Sequence, residues 1–180
     1  MRKNRKIIIL LVVLFFICLT VKLLFTDKQK ISNEFAEQLY NYPLPPQTEM
    51  IDKGKTNGKF GGAFGNGGYW NAFSYMTLST KLNQEELLKY YKSADLFISA
   101  EKDKKNNIPI QIYFEGHFEK EGSNHEYYYT LEYGAQGFVD RYIDDNGHIK
   151  EKYKIKQQPG ERIEYSIQIH SQFDYFPKLD

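Results

Sequence analysis

The sequence predicts an α+β protein: an N-terminal transmembrane helix, then a mostly antiparallel sheet of five to seven strands with one main helix packed on one face. Three observations predict it. A basic start leads into an apolar run, Ile7–Phe25, broken only near its end by Lys22. A capped amphipathic segment, Asn83–Lys92, is the clearest helix of the body. Beyond it, several segments alternate apolar and polar residues at a period of two, as a sheet with one covered and one wet face requires.

Met1–Lys6 carries Arg2, Lys3, Arg5 and Lys6, and Ile7–Val21 has no charge. The 19 residues to Phe25 span about 28 Å as a helix, close to the hydrocarbon thickness of a bilayer. Lys22 stands near the outer end, where its stem stays in apolar surroundings while the ammonium reaches headgroups. No Ala-x-Ala-like pattern follows the run, against a cleaved signal peptide. Phe16 and Ile17 precede Cys18, so the small residue that lipid modification needs before its cysteine is missing. An uncleaved anchor is the reading left. The basic start favours a cytoplasmic N-terminus and an extracytoplasmic C-terminal body.

The formal net charge of +1 hides a division. Residues 1–30 hold seven Lys/Arg and one Asp, a balance of +6; the rest holds 17 Lys/Arg and 22 Asp/Glu, a balance of −5. A mildly acidic body argues against nucleic acid as a partner. The partners expected are the lipid bilayer, through residues 7–25, and an envelope protein or ligand. Cys18 is the only cysteine, so the body has no disulfide and depends on core packing. Phe, Tyr and Trp supply 26 of the 150 residues from Ile31 onward, which is ample apolar area for that.

The expected organisation is a basic tail over 1–6, the span over 7–25, a stalk over 26–42 and the domain over 43–180. In the stalk, Ser32–Tyr40 reads as a short helix capped by Ser32 or Asn33, stopped by Pro43, Pro45 and Pro46. Thr48–Lys53 and Tyr69–Thr80 read as strands around a glycine-rich stretch, Gly58–Gly68. In the main helix, Asn83 is a cap with Glu86 at the capping-box position, and Leu82 and Leu87 are spaced for a hydrophobic staple. Ile108–Phe118, His125–Tyr133 and Arg162–Tyr175 alternate as strands, and Asp144–Gly147 is a hairpin signal joining Gly137–Ile143 to His148–Lys156.

No catalytic constellation is present. The glycine-rich stretch lacks the spacing of a phosphate loop and leads into a strand. Its plain reading is a connection between strands; its functional reading is a ligand-contact loop of Phe60, Phe64, Tyr69 and Trp70. The four histidines have no metal-ligand spacing, so no metal or cofactor is expected. Glu115 and His117, joined by Glu132 and His170 if their strands are neighbours, form a candidate polar patch; ordinary wet-face polarity is the plainer account. No serine lies in a nucleophile motif, and no particular pair of carboxylates is marked for glycoside hydrolysis. The 15 tyrosines read first as core, with outward ones such as Tyr113 and Tyr128 offering a platform for sugar, peptide or protein.

Tyr42–Lys92 joins YPLPPQTEMIDK, GNGGYWNAFSYMTLST and LNQEELLKYYK. This stretch resembles small membrane-anchored extracytoplasmic proteins of Gram-positive bacteria of the Bacillus group. The resemblance implies a cell-membrane location and carries over no catalytic residues. The function expected is a membrane-tethered, non-enzymatic binding domain at the cell envelope; the alternative is an envelope hydrolase acting on wall polymers through carboxylates.

Overall fold

The computed structural model describes residues 2–58, 69–94, 97–100, 107–114, 117–121, 126–130 and 137–174, without the side chains of 2–4, 22–27, 69, 117–121, 126–130 and 174. Helix α1 is a single element, Arg2–Tyr40. Where the sequence expects a span, a stalk and a separate short helix, the chain stays helical through residues 26–31, which contain no Gly or Pro. Ser32 and Asn33 are therefore mid-helix: Ser32 is buried, and Asn33 accepts a hydrogen bond from Gln29 Nε2 at 3.1 Å. The helix ends with bonds from Asn41 N to Glu37 O and from Tyr42 N to Leu39 O, and the prolines follow.

Two halves of α1 have opposite surroundings. From Ile7 to Val21 the large apolar side chains are all exposed, by 42% to 65%. Among the described residues no helix is long and apolar enough to cross a membrane; side chains 22–27, which continue the run, lie outside them. From Lys28 onward one stripe is buried: Lys28, Ser32, Phe35, Ala36 and Leu39, at the spacing of one helical face.

That stripe lies on strands β1 (Thr48–Gly58) and β2 (Tyr69–Thr80), which pair antiparallel. Ala72 and Ser74 of β2 are buried on the helix side, so short side chains on both elements allow a close approach. Helix α2 (Gln84–Lys92) follows β2 and has the expected capping box: Glu86 N donates to Asn83 Oδ1 and Asn83 N to Glu86 Oε2, both at 2.9 Å. Then come β3 (Phe97–Ile98), β4 (Asn107–Ile108), β5 (Gln111–Tyr113), β6 (His117–Glu121), β7 (Glu126–Thr130), a one-turn helix α3 (Val139–Tyr142), a 3₁₀ turn at Glu151–Tyr153 and β8 (Ile163–Asp174).

The principal sheet has four described strands in the order β1-β2-β8-β5, all antiparallel, against the five to seven expected. β8 pairs with β2 over its whole length, from Thr80↔Ile163 to Tyr69↔Asp174, and takes β5 on its other side. β3–β4 and β6–β7 are separate two-stranded ladders. The segment read as one strand, Ile108–Phe118, is divided among β4, β5 and β6, each with a different partner. Pro109 separates the first two, since proline has no N–H for a ladder. The hairpin turn forms as read: Asp144 Oδ1 accepts from Asn146 N and His148 N, and Gly147 has a φ of 82°. Its flanks are not long strands; they make the single bridge Ile143↔Ile149, with α3 before it and the 3₁₀ turn after it.

The core lies on one side of the sheet. Met76, Leu78, Ile112, Tyr165, Ile167 and Ile169 meet Phe35 and Leu39 of α1 and Leu87, Leu88 and Tyr91 of α2. The sheet is thus covered on this side by two helices, where one was expected. The register puts Asn71, Phe73, Tyr75, Thr77, Ser166, Gln168 and His170 on the reverse side. β1 is an edge strand with Asp52, Lys53 and Lys55, and with an extra residue at Ile51 between the Met50 and Asp52 pairings. Charges and a bulge at an edge discourage pairing with other chains.

Candidate functional site

A concavity lies where α2 meets α3. A cavity of about 780 Å³ is lined by Tyr91, Lys92, Ile110, Phe138, Asp140 and Arg141 among others. A smaller one of about 270 Å³ adjoins it through Lys92 and Val139, and adds Glu85, Lys89 and His148 to its walls. The larger volume falls within the usual range for small-ligand clefts.

Each wall is held by polar bonds to the core. α2 is anchored by Tyr91, whose hydroxyl lies 3.0 Å from that of Tyr165. Burial raises both phenols, Tyr165 to about 12, so neither ionises near neutral pH. Gln84 fastens the start of α2 to the turn after α3, giving Nε2–H to Tyr153 O and accepting from Ile155 N. α3 is anchored by Tyr142, which donates to Ile112 O at 2.7 Å. Next to it, Arg141 lies over the Tyr153 ring at 5.4 Å, and its buried Nε has no hydrogen-bond partner among the described residues. The groove therefore joins apolar floor residues to cations from both walls, Lys89 and Lys92 on one and Arg141 on the other.

The residues singled out in the sequence fall elsewhere. Phe60 and Phe64 lie outside the described residues, and Tyr69 is described only as backbone, opposite Asp174. Trp70 is half-buried on the helix side of β2; its Nε1–H donates to Asn57 Oδ1 at 3.0 Å, and Lys28 Nζ stands 5.1 Å from its ring centroid. Glu115 and Glu132 also lie outside the described residues. The backbone of His117 pairs with Thr130 in the β6–β7 ladder, whereas His170 belongs to β8 in the principal sheet. His170 is half-buried, flat against Phe73, with its Nε2 3.0 Å from Asn71 Oδ1. Among the described residues no three His, Cys, Asp or Glu side chains gather as a metal site. Tyr113, read as outward, is buried and hydrogen-bonded to Gln111 on the reverse face of the sheet; the side chain of Tyr128 is not described.

Sequence reasoning missed the groove. Its α2 wall was legible, with Lys89 and Lys92 flanking the buried Leu88 and Tyr91. Its other wall was hidden because Gly137–Ile143 reads as a strand, and four residues are too few to carry a helical period.

No known protein family, curated protein or solved structure matches the chain.

Proposed function

We propose that this chain is a single-pass membrane protein, with its N-terminus in the cytoplasm and its domain outside, that binds a partner or ligand at the cell envelope. The observation that carries the reading is α1. Its first half is apolar and exposed all round, which water does not favour, and its second half is built into the core of a folded domain. The sequence of 22–25 extends the run to the 19 residues a bilayer needs. The basic start supports the orientation, and the resemblance over Tyr42–Lys92 supports the location. The groove between α2 and α3 is a place for a ligand. Its lysines and Arg141 stand beside Glu85 and Asp140, so its walls suit a polar group with both donors and acceptors, and its floor a neighbouring apolar one.

Protease added to intact protoplasts tests the orientation: the domain is cut from outside, and a domain protected until lysis reverses the reading. A photo-crosslinking residue at Lys92 in the full chain tests the groove. It yields an adduct in the envelope that the same residue at Glu164, outside the groove, does not yield. Identical patterns from both positions would remove the groove from the reading.

A further inference from the structure

Among the described side chains of α1 the first buried one is Lys28, three positions beyond Phe25. At helical rise that is about 4.5 Å, less than one turn. The headgroup layer of a leaflet is about 5–7 Å thick. A domain that begins to pack at Lys28 therefore has no spacer to hold it away from a membrane that ends at Phe25.

The contacts at this level are specific. Lys28 lies over the face of Trp70. Gln29, on the next position of α1, accepts through Oε1 from Asn57 Nδ2 at 3.2 Å, and gives its own Nε2–H to Asn33. Asn57 Oδ1 in turn accepts from the Trp70 indole at 3.0 Å. One chain of hydrogen bonds thus runs from α1 through β1 to β2. It ties the helix to the end of the sheet where β1 finishes at Gly58 and β2 begins at Tyr69, opposite Asp174 of β8. Helical side chains lean towards the N-terminus, so the Lys28 ammonium beside the indole lies on the side of the apolar run. Trp is a residue that membrane–water boundaries favour, an amphipathic ring at headgroup depth.

Resting on the anchored reading above, we propose that the Asn57–Trp70 end of the sheet is a lipid-contact surface. Trp70 is seated among phospholipid headgroups with the buried Lys28 behind its ring, and the Gln29–Asn57–Trp70 bonds hold the domain at a fixed height on the bilayer. The groove between α2 and α3 then has a fixed position relative to the membrane.

Trp70 is the only tryptophan, so the intact chain carries its own probe. The full chain is reconstituted into phosphatidylcholine–phosphatidylglycerol vesicles and recovered by flotation. Lipids spin-labelled at the headgroup or at acyl carbon 5 should quench its emission about twofold or more relative to unlabelled vesicles, and those labelled at carbon 12 distinctly less. A helical heptad inserted between Phe25 and Thr26 lifts the domain by about 10 Å and keeps its facing. That variant should still float and should lose the quenching. If the native chain floats and no label quenches Trp70, the lipid-contact surface is wrong while the anchor stands. If carbon 12 quenches best, the ring is buried too deep for this seat and the proposal also fails. If the chain does not float, anchor and surface fall together.

Discussion

The ring of Phe73 lies flat on the imidazole of His170, with centroids 4.1 Å apart and planes 8° from parallel. Asn71 Oδ1 accepts from Gln172 Nε2 at 2.9 Å and lies 3.0 Å from His170 Nε2. Burial against the sheet lowers the histidine to about 4 from 6.5. Above pH 6.5 the group is neutral in folded and unfolded chains alike and its contribution is complete. As pH falls from 6.5 towards 4 the unfolded chain takes the proton first, and stability is lost. The loss approaches about 3 kcal/mol and levels off below pH 4. Urea midpoints at pH 7, 5.5 and 4.5 check this: His170→Gln should fall less steeply than the native chain, and equal slopes would contradict it.

Removing one hydroxyl of the Tyr91–Tyr165 pair takes a hydrogen bond from the other, which stays buried, although Tyr165 keeps its bond with Thr48. Tyr91→Phe and Tyr165→Phe should each cost about 1–2 kcal/mol, and the double variant clearly less than their sum. Additive losses in chemical denaturation would show that the two hydroxyls are not coupled.

A methyl group at Gly137 would stand 2.4 Å from the backbone oxygen of Ile112, where Ile112 N already donates to Gly137 O at 2.7 Å. Backbone cannot swing aside, so Gly137→Ala should destabilise by about 2 kcal/mol or more. At Gly147 nothing lies within 4 Å of such a methyl, and only the φ of 82° opposes it. Gly147→Ala should therefore be the milder change, about 1 kcal/mol, measured by the same melts.

Phe35 and Leu39 are buried in the domain core although they belong to the same helix as the apolar run. Phe35→Ala should cost about 3–5 kcal/mol and Leu39→Ala about 2–5, as for other core truncations, while Glu37→Ala on the exposed side should change little. Hydrogen exchange in the amides of β2 reads the effect. If all three variants protect β2 equally, residues 26–42 are a stalk after all.

Asn83→Ala should remove about 1 kcal/mol with the capping box, and Asn83→Asp only a few tenths. Thermal melts of the two variants give the comparison directly.

What was legible in the sequence was short-range. The β2 limits, the Asn83 cap, the Asp144–Gly147 turn and the alternation along β8 depend on neighbours a few residues apart, and all are present. What failed depends on distant partners. Nothing near Ile108 shows that β4, β5 and β6 take three different strands as neighbours. Tyr113 alternates outward by pattern, yet the reverse side of the sheet at Tyr113, Ser166 and Gln168 is buried too. The stalk was inferred from a short helix, Ser32–Tyr40, stopped by Pro43, Pro45 and Pro46, and nothing local shows that the helix continues from the N-terminal run or that one of its faces packs on β1 and β2. The groove was invisible for the same reason: its two walls are some 50 residues apart, and they meet only when the sheet forms.

The central place of β8 also sets a timetable. β2 and β5 have no contact along the sheet except through residues 163–174, the last of the four strands to be synthesised. Until those residues arrive, the β1–β2 hairpin presents a bare edge along all of β2, although α1 and α2 are already there to cover its apolar side. Closing the sheet bridges some 80 residues of chain between β2 and β8, a slow step for a non-local pairing. During synthesis the nascent chain thus holds an open β edge for many seconds, the interval in which a chaperone would have most to do.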